Sequence, residues 1–198
     1  MTNSKHTGTN KLVFTSERLS YNPLAADDLD LIIDLWSDPD VVQFMGNTYS
    51  RQELIKSHPL IMRRCGDGCI GIWTLTLRET HEKIGTAILL PMPVDEDDTD
   101  WDLVVGDGYP DAAIEVGYML RKSFWGKGFA TEACRRMLQF AFEETPLDEI
   151  VATIDEENSA SRHVLLKSGL KYVGMERAYA ADSPIFRLTR TQWLDARA

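Results

Sequence analysis

The sequence predicts an α/β domain: a mixed sheet with helices packed on both of its faces. Three observations carry the prediction. The chain has 198 residues, the length of one domain rather than two. Its 43% apolar and 26% charged residues form an ordinary globular balance, which excludes disordered, collagen-like and coiled-coil classes. Consecutive strand-like runs in the middle of the chain give way to alternating helix-like and strand-like stretches, the order of a sheet wrapped by helices.

Residues 1–10 (MTNSKHTGTN) are small and polar and read as a disordered leader, so the domain is expected over 11–198. Leu12 to Leu24 reads as one strand. Asp27 or Asp28 then caps a helix whose apolar positions Leu29, Ile32, Ile33 and Trp36 share one face. A second helix is expected from Ser50, where Ser-Arg-Gln-Glu has the form of a capping box, to Arg64. After the Gly66-Asp67-Gly68 turn, Ile70 to Leu77 and Lys83 to Leu90 form a strand hairpin, and Ala112 to Leu120 a third strand. Gly128 to Glu144 is strongly helical, with Ala133, Met137, Phe140 and Ala141 on one face. Strand Glu149 to Ile154, helix Asn158 to Ser168, and strands Lys171 to Arg177 and Pro184 to Thr189 complete the pattern.

Charge is unevenly placed. The formal net charge is -10, which disfavours a nucleic-acid surface. Residues 91–111 (PMPVDEDDTDWDLVVGDGYPD) carry eight acidic side chains and no basic one, so this long connection alone holds most of the excess. It reads either as a field that draws in a cationic substrate or as a solvated loop. Apolar runs such as Ala87 to Leu90 are far too short for a membrane span. Three cysteines, Cys65, Cys69 and Cys134, with no signal segment before them, point to a reduced cytoplasmic protein. Cys65 and Cys69 lack the further ligands of a zinc set, and no metal is expected.

The sharpest motif is Arg121 to Ala133, RKSFWGKGFATEA, at a strand-to-helix junction. Gly126, Gly128 and the small Ala130 allow close backbone approach. The free N–H groups of the first helical turn then favour an anion. Lys122 and Lys127 add positive charge. This is a phosphate or pyrophosphate cradle, or else a tight turn that needs glycine for geometry alone. It is neither a P-loop nor a dinucleotide fingerprint.

The ordered set Ile114-Glu115-Val116-Gly117-Tyr118-Met119-Leu120, WGKGFATEA, Asn158-Ser159-Ala160-Ser161 and Lys167-Ser168-Gly169-Leu170 resembles the GNAT superfamily of acetyl-CoA-dependent N-acetyltransferases. Thr15-Ser16-Glu17-Arg18-Leu19 and Leu188-Thr189-Arg190-Thr191-Gln192-Trp193 make it most similar to the Rim-type, ribosomal-protein N-terminal branch. The resemblance covers residues 12–193. It implies a GNAT fold with a mostly antiparallel central sheet, and acetyl-CoA as cosubstrate. It also implies that Lys122, Gly126, Lys127, Gly128, Ala130 and Thr131 line the phosphates. The backbone of Met119 and Leu120 would pair with the pantetheine arm. Trp125 stands where many relatives carry Arg or Gln. Asn158 matches an asparagine at the pantetheine or the reacting end, and is equally a helix N-cap. Ser161 matches a serine near the thioester sulfur, or is a plain first-turn hydroxyl. Leu165 stands where other branches have a tyrosine acid, so that acid is ruled out there.

Acetyl transfer requires a neutral amine, hence a base. Glu115, inside an otherwise apolar strand that would raise its pKa, is the leading candidate; the alternative is a carboxylate on the polar side of the strand or paired with an arginine. A backbone N–H near Val116 or Gly117 would face the developing oxyanion. Ser161, a water or Tyr118 would protonate the departing thiolate. The acceptor is expected to be a protein N-terminal α-amine or a small cationic amine. A homodimer is left open, and the competing reading is a CoA-binding sensor or assembly module without catalysis.

Overall fold

The computed structural model describes residues 11–197; the expected leader at 1–10 lies outside the described residues. Local sequence explains most elements. Ser50 accepts the N–H of Glu53 at 3.3 Å while the Glu53 carboxylate accepts the N–H of Ser50 at 2.8 Å, so helix α3 (Arg51–Ile61) starts on a full capping box. Ahead of it lie α1 (Leu29–Trp36), which turns Leu31, Ile32 and Leu35 inward, and the four-residue α2 (Pro39–Val42). Asp38 caps α2 and Pro39 pre-sets its first turn, a combination too short for periodicity to reveal.

The remaining helices are α4 (Phe129–Glu144), α5 (Ser159–Ser168) and α6 (Arg190–Asp195). The last begins on a Thr189/Gln192 capping box and was absent from the expected elements.

The strands are β1 (Phe14–Thr15), β2 (Leu19–Pro23), β3 (Gly71–Leu77), β4 (Lys83–Pro91), β5 (Ile114–Leu120), β6 (Glu149–Thr153), β7 (Lys171–Ala178) and β8 (Ala181–Thr189). The order β1-β2-β3-β4-β5-β6-β8-β7 is antiparallel at every junction except β5 with β6. Two expectations are corrected. Leu12 to Leu24 is a hairpin, not one strand. Its turn is bound by a distant carboxylate: Glu132 of α4 accepts from Ser16 Oγ at 2.6 Å and from Arg18 N and Nε at 2.7 Å. Helix α3 ends at Ile61, short of Arg64, whose guanidinium instead reaches Gly68 O at 2.8 Å, Ile72 O at 2.6 Å and the face of Trp73.

Alternation along β5 divides the layers. Ile114, Val116 and Leu120 join the core beneath α4 and α5, where Phe14 stacks between Tyr21 and Phe140 and Trp73 meets Phe140 edge-on. Met119 packs instead with Leu31 and Leu35 of α1 on the opposite face. Helices therefore cover both faces, and β5 runs through the middle.

Candidate active site

The site forms where the sheet opens. Strands β5 and β6 pair in register only at Glu115 and Val151. From Val116 to Leu120, β5 keeps its β4 partners and has no registered partner on the β6 side. Met119 and Leu120, expected to offer their backbone, lie on this open stretch.

At the mouth of the opening the chain passes from β5 through Lys122–Phe124 and the Trp125-to-Gly128 turn into α4. Gly126 and Gly128 hold φ of 71° and 81°, a region that side chains with a Cβ avoid. Nothing lies within 4 Å of where a Gly126 Cβ would stand. Among the described residues, the N–H groups of Gly126, Lys127, Gly128, Phe129, Ala130 and Thr131 donate to no protein acceptor. Six unpaired donors at the N-terminus of a 16-residue helix fit a diphosphate. Both expected lysine side chains have partners within the protein. The Lys122 ammonium is ion-paired with Asp40 of α2, and Lys127 Nζ lies 5.3 Å from the Phe124 ring centroid. Arg18, to which the sequence assigns no role, also lies beside the cradle. Its Nη1 donates to Lys127 O at 2.9 Å, and its Nη2 lies 3.5 Å from the place of a Gly128 Cβ.

Side chains on the two faces of β5 have separate surroundings. Tyr118, on the α4/α5 face, exchanges a 2.8 Å hydrogen bond with Ser161 Oγ, and burial pushes its phenol pKa far up. Asn158 caps α5 by accepting Ser161 N–H at 2.9 Å, so its structural role is occupied by its own helix. The structure brings Tyr118, Ser161 and Asn158 together. Glu115 stands apart from them, on the face of β5 that carries Met119.

Glu115 is 5% exposed. Its carboxylate accepts the hydroxyl hydrogen of Tyr179, and no arginine or lysine pairs with it among the described residues. Burial pushes its pKa up to about 7; the Tyr179 hydrogen bond opposes the shift and the Asp98 charge reinforces it. Tyr179 was missed in the sequence. It sits with Ala180 in a two-residue turn between β7 and β8, and nothing local marks a tyrosine there.

The acidic connection is only partly solvated. Val104 is fully buried and Thr99 nearly so, while Gly66 N and Asp67 N donate to Gly108 O at 2.9 Å and Asp107 O at 3.0 Å. No group of three or more metal-ligating side chains occurs among the described residues, and Cys65, Cys69 and Cys134 are buried and unbridged. Nor is any described helix long and apolar enough to cross a membrane.

The sheet parts beside a glycine-rich helix start, and a buried carboxylate lies on one face of the gap. The chain belongs to the GNAT acetyltransferases: the profile of the acetyltransferase (GNAT) domain matches residues 18–171. It is 28% identical over 187 residues to FsC-acetyl coenzyme A-N(2)-transacetylase of Aspergillus fumigatus, covering 89% of this chain and 76% of that one. A Bacillus subtilis protein provisionally named a ribosomal N-acetyltransferase is 38% identical over 63 residues, 32% of this chain and 34% of that one. The fold matches a spermidine N-acetyltransferase from Vibrio cholerae, solved with CoA and spermine, at TM-score 0.68 and 17% identity, over 90% of this chain and 99% of the other.

Proposed function

We propose that the protein acetylates a primary amine by direct attack of that amine on the thioester of acetyl-CoA. Acetyl-CoA supplies the activated acetyl group. The N–H groups from Gly126 to Thr131, with Arg18 beside them, hold the diphosphate, and the unpaired edge of β5 at Met119 and Leu120 takes the pantetheine arm as an added strand. Backbone N–H groups near Val116 and Gly117 face the charge that develops on the carbonyl oxygen.

The observation that carries this reading is the division of proton-handling groups between the two faces of β5. Glu115 lies on the α1 face, where the amine would enter, and removes its proton. Tyr118 and Ser161, hydrogen-bonded to each other on the α4/α5 face, return a proton to the departing sulfur. A base held near neutral pH accepts the proton of an ammonium without being permanently protonated itself.

The acceptor is inferred to be cationic, a protein N-terminal α-amine or a small polyamine-like molecule. Support comes from the acidic connection, whose Asp98 acts on Glu115, and from the short match to the B. subtilis relative for the first class. The three unbridged cysteines support a reducing, cytoplasmic setting. Thiol release from acetyl-CoA, followed over a panel of N-terminal peptides and polyamines, tests the reading. Turnover with one class is expected, and stabilisation by CoA without thiol release for every amine would leave a binding module. Replacing four exposed aspartates of the connection by Asn should raise the acceptor KM at low salt; an unchanged KM rejects the electrostatic part.

A further inference from the structure

We propose that the β4–β5 connection and the tip of the β7–β8 hairpin form one clamp that positions Glu115 for proton transfer, with Tyr179 as the positioning residue. The inference rests on Glu115 being the base.

Tyr179 and Ala180 both hold positive φ, 53° and 56°, at a turn where glycine, asparagine or aspartate would adopt that conformation more readily. The turn keeps side chains that its geometry disfavours. Its backbone is tied down by the connection: Tyr179 N donates to Pro93 O at 3.1 Å and Ala180 N to Val94 O at 3.0 Å. One rung away, Arg177 Nε is 2.7 Å from Asp95 Oδ1. The Tyr179 hydroxyl donates to Glu115 Oε1 and lies near the side chain of Thr99, whose own N–H donates to Asp98 Oδ1 at 2.7 Å. One seven-residue span, Pro93 to Thr99, thus ties down the backbone of the turn, flanks the phenol and supplies a nearby charge.

Each part acts on Glu115 with a definite sign. The phenol donates to the carboxylate and favours its charged, proton-accepting form. Asp98 repels that form. The rest of the wall is apolar: Val151 is the cross-strand partner of Glu115, and Met92 packs against Val151 and Tyr179. Tyr179 and Asp98 are the titratable groups that bear on it. The connection therefore works on the base at short range, through Thr99 beside the Tyr179 hydroxyl and through the charge of Asp98, in addition to any field it casts on an approaching substrate.

The test titrates Glu115 directly in the full-length protein by NMR with 13C-labelled glutamate, the resonance being assigned by its loss in Glu115→Gln. Tyr179→Phe should raise the apparent pKa of Glu115 by about one unit, the size set by one hydrogen bond to a charged group. Asp98→Asn should lower it, and Thr99→Val should move it the same way as Tyr179→Phe but less. Loosening that merely admits water would lower the pKa in every variant. Shifts of one common sign, or no shift, overturn the clamp. The acidic limb of kcat/KM for the best acceptor of the panel should follow the same displacements. If the pKa moves and the limb does not, Glu115 is not the base, and the proposed function loses that assignment together with the clamp's catalytic meaning.

Discussion

Glu115→Gln is expected to abolish turnover and to stabilise the fold at alkaline pH. Folding raises the pKa of this carboxyl from 4.5 to about 7, chiefly by removing it from water. Well below pH 4.5 the group is protonated in both folded and unfolded chains and imposes nothing. As pH rises from 4.5 to 7, the unfolded chain releases the proton while the folded one retains it, so folding is progressively penalised. Above 7 the penalty is complete: 2.5 pH units at 1.36 kcal/mol each is about 3 kcal/mol. Glutamine keeps the shape and the acceptor oxygen for Tyr179 but carries no charge to desolvate. The variant should melt with the wild type near pH 4.5 and above it at pH 8, by roughly 6–12 °C for a domain of this size. Paired thermal scans at the two pH values provide the assay. Equal melting temperatures at both, or a variant less stable at pH 8, would show that Glu115 is not held at a cost in stability, and the reasoning from its burial would fail.

Gly128→Glu should strain an N-cap that now holds φ of 81° and set a carboxylate beside the cradle. The roughly 2.7 kcal/mol stabilisation that saturating CoA confers at 100 times its dissociation constant should vanish from melting scans, while the apo fold persists. Tyr118→Phe removes the partner of Ser161 Oγ and should lower kcat about 100-fold with CoA affinity unchanged; full activity would assign the proton on sulfur to Ser161 or to water. Phe140→Ala empties the stack shared by Phe14 and Trp73 and should cost about 3–5 kcal/mol by denaturant unfolding, without altering CoA affinity per folded molecule.

Reading the chain alone succeeded where short-range chemistry decides. The Ser50 capping box, the β3–β4 hairpin, the helix after Gly128 and the apolar setting of Glu115 were all legible, because each depends on residues within a few positions of one another. The Leu12 to Leu24 hairpin was not, since its turn is anchored by Glu132, more than a hundred residues away. Arg18 and Tyr179 were overlooked for the same reason. The ion pair of Lys122 with Asp40 was likewise not legible, since only the fold brings the two side chains together.

The acidic stretch marks the same boundary between what the sequence determined and what the tertiary structure decided. By itself the sequence determined its charge, its length and its position ahead of the strand bearing Glu115, because composition and order are local properties. Tertiary structure decided what the stretch touches: the carbonyls of Pro93 and Val94 receive the β7–β8 turn, and Asp98 and Thr99 stand beside Tyr179 and Glu115. The physical reason is that desolvation and hydrogen bonding act over a few ångströms of space. Residues 98, 115 and 179 become neighbours only once β5 and the β7–β8 hairpin share a sheet.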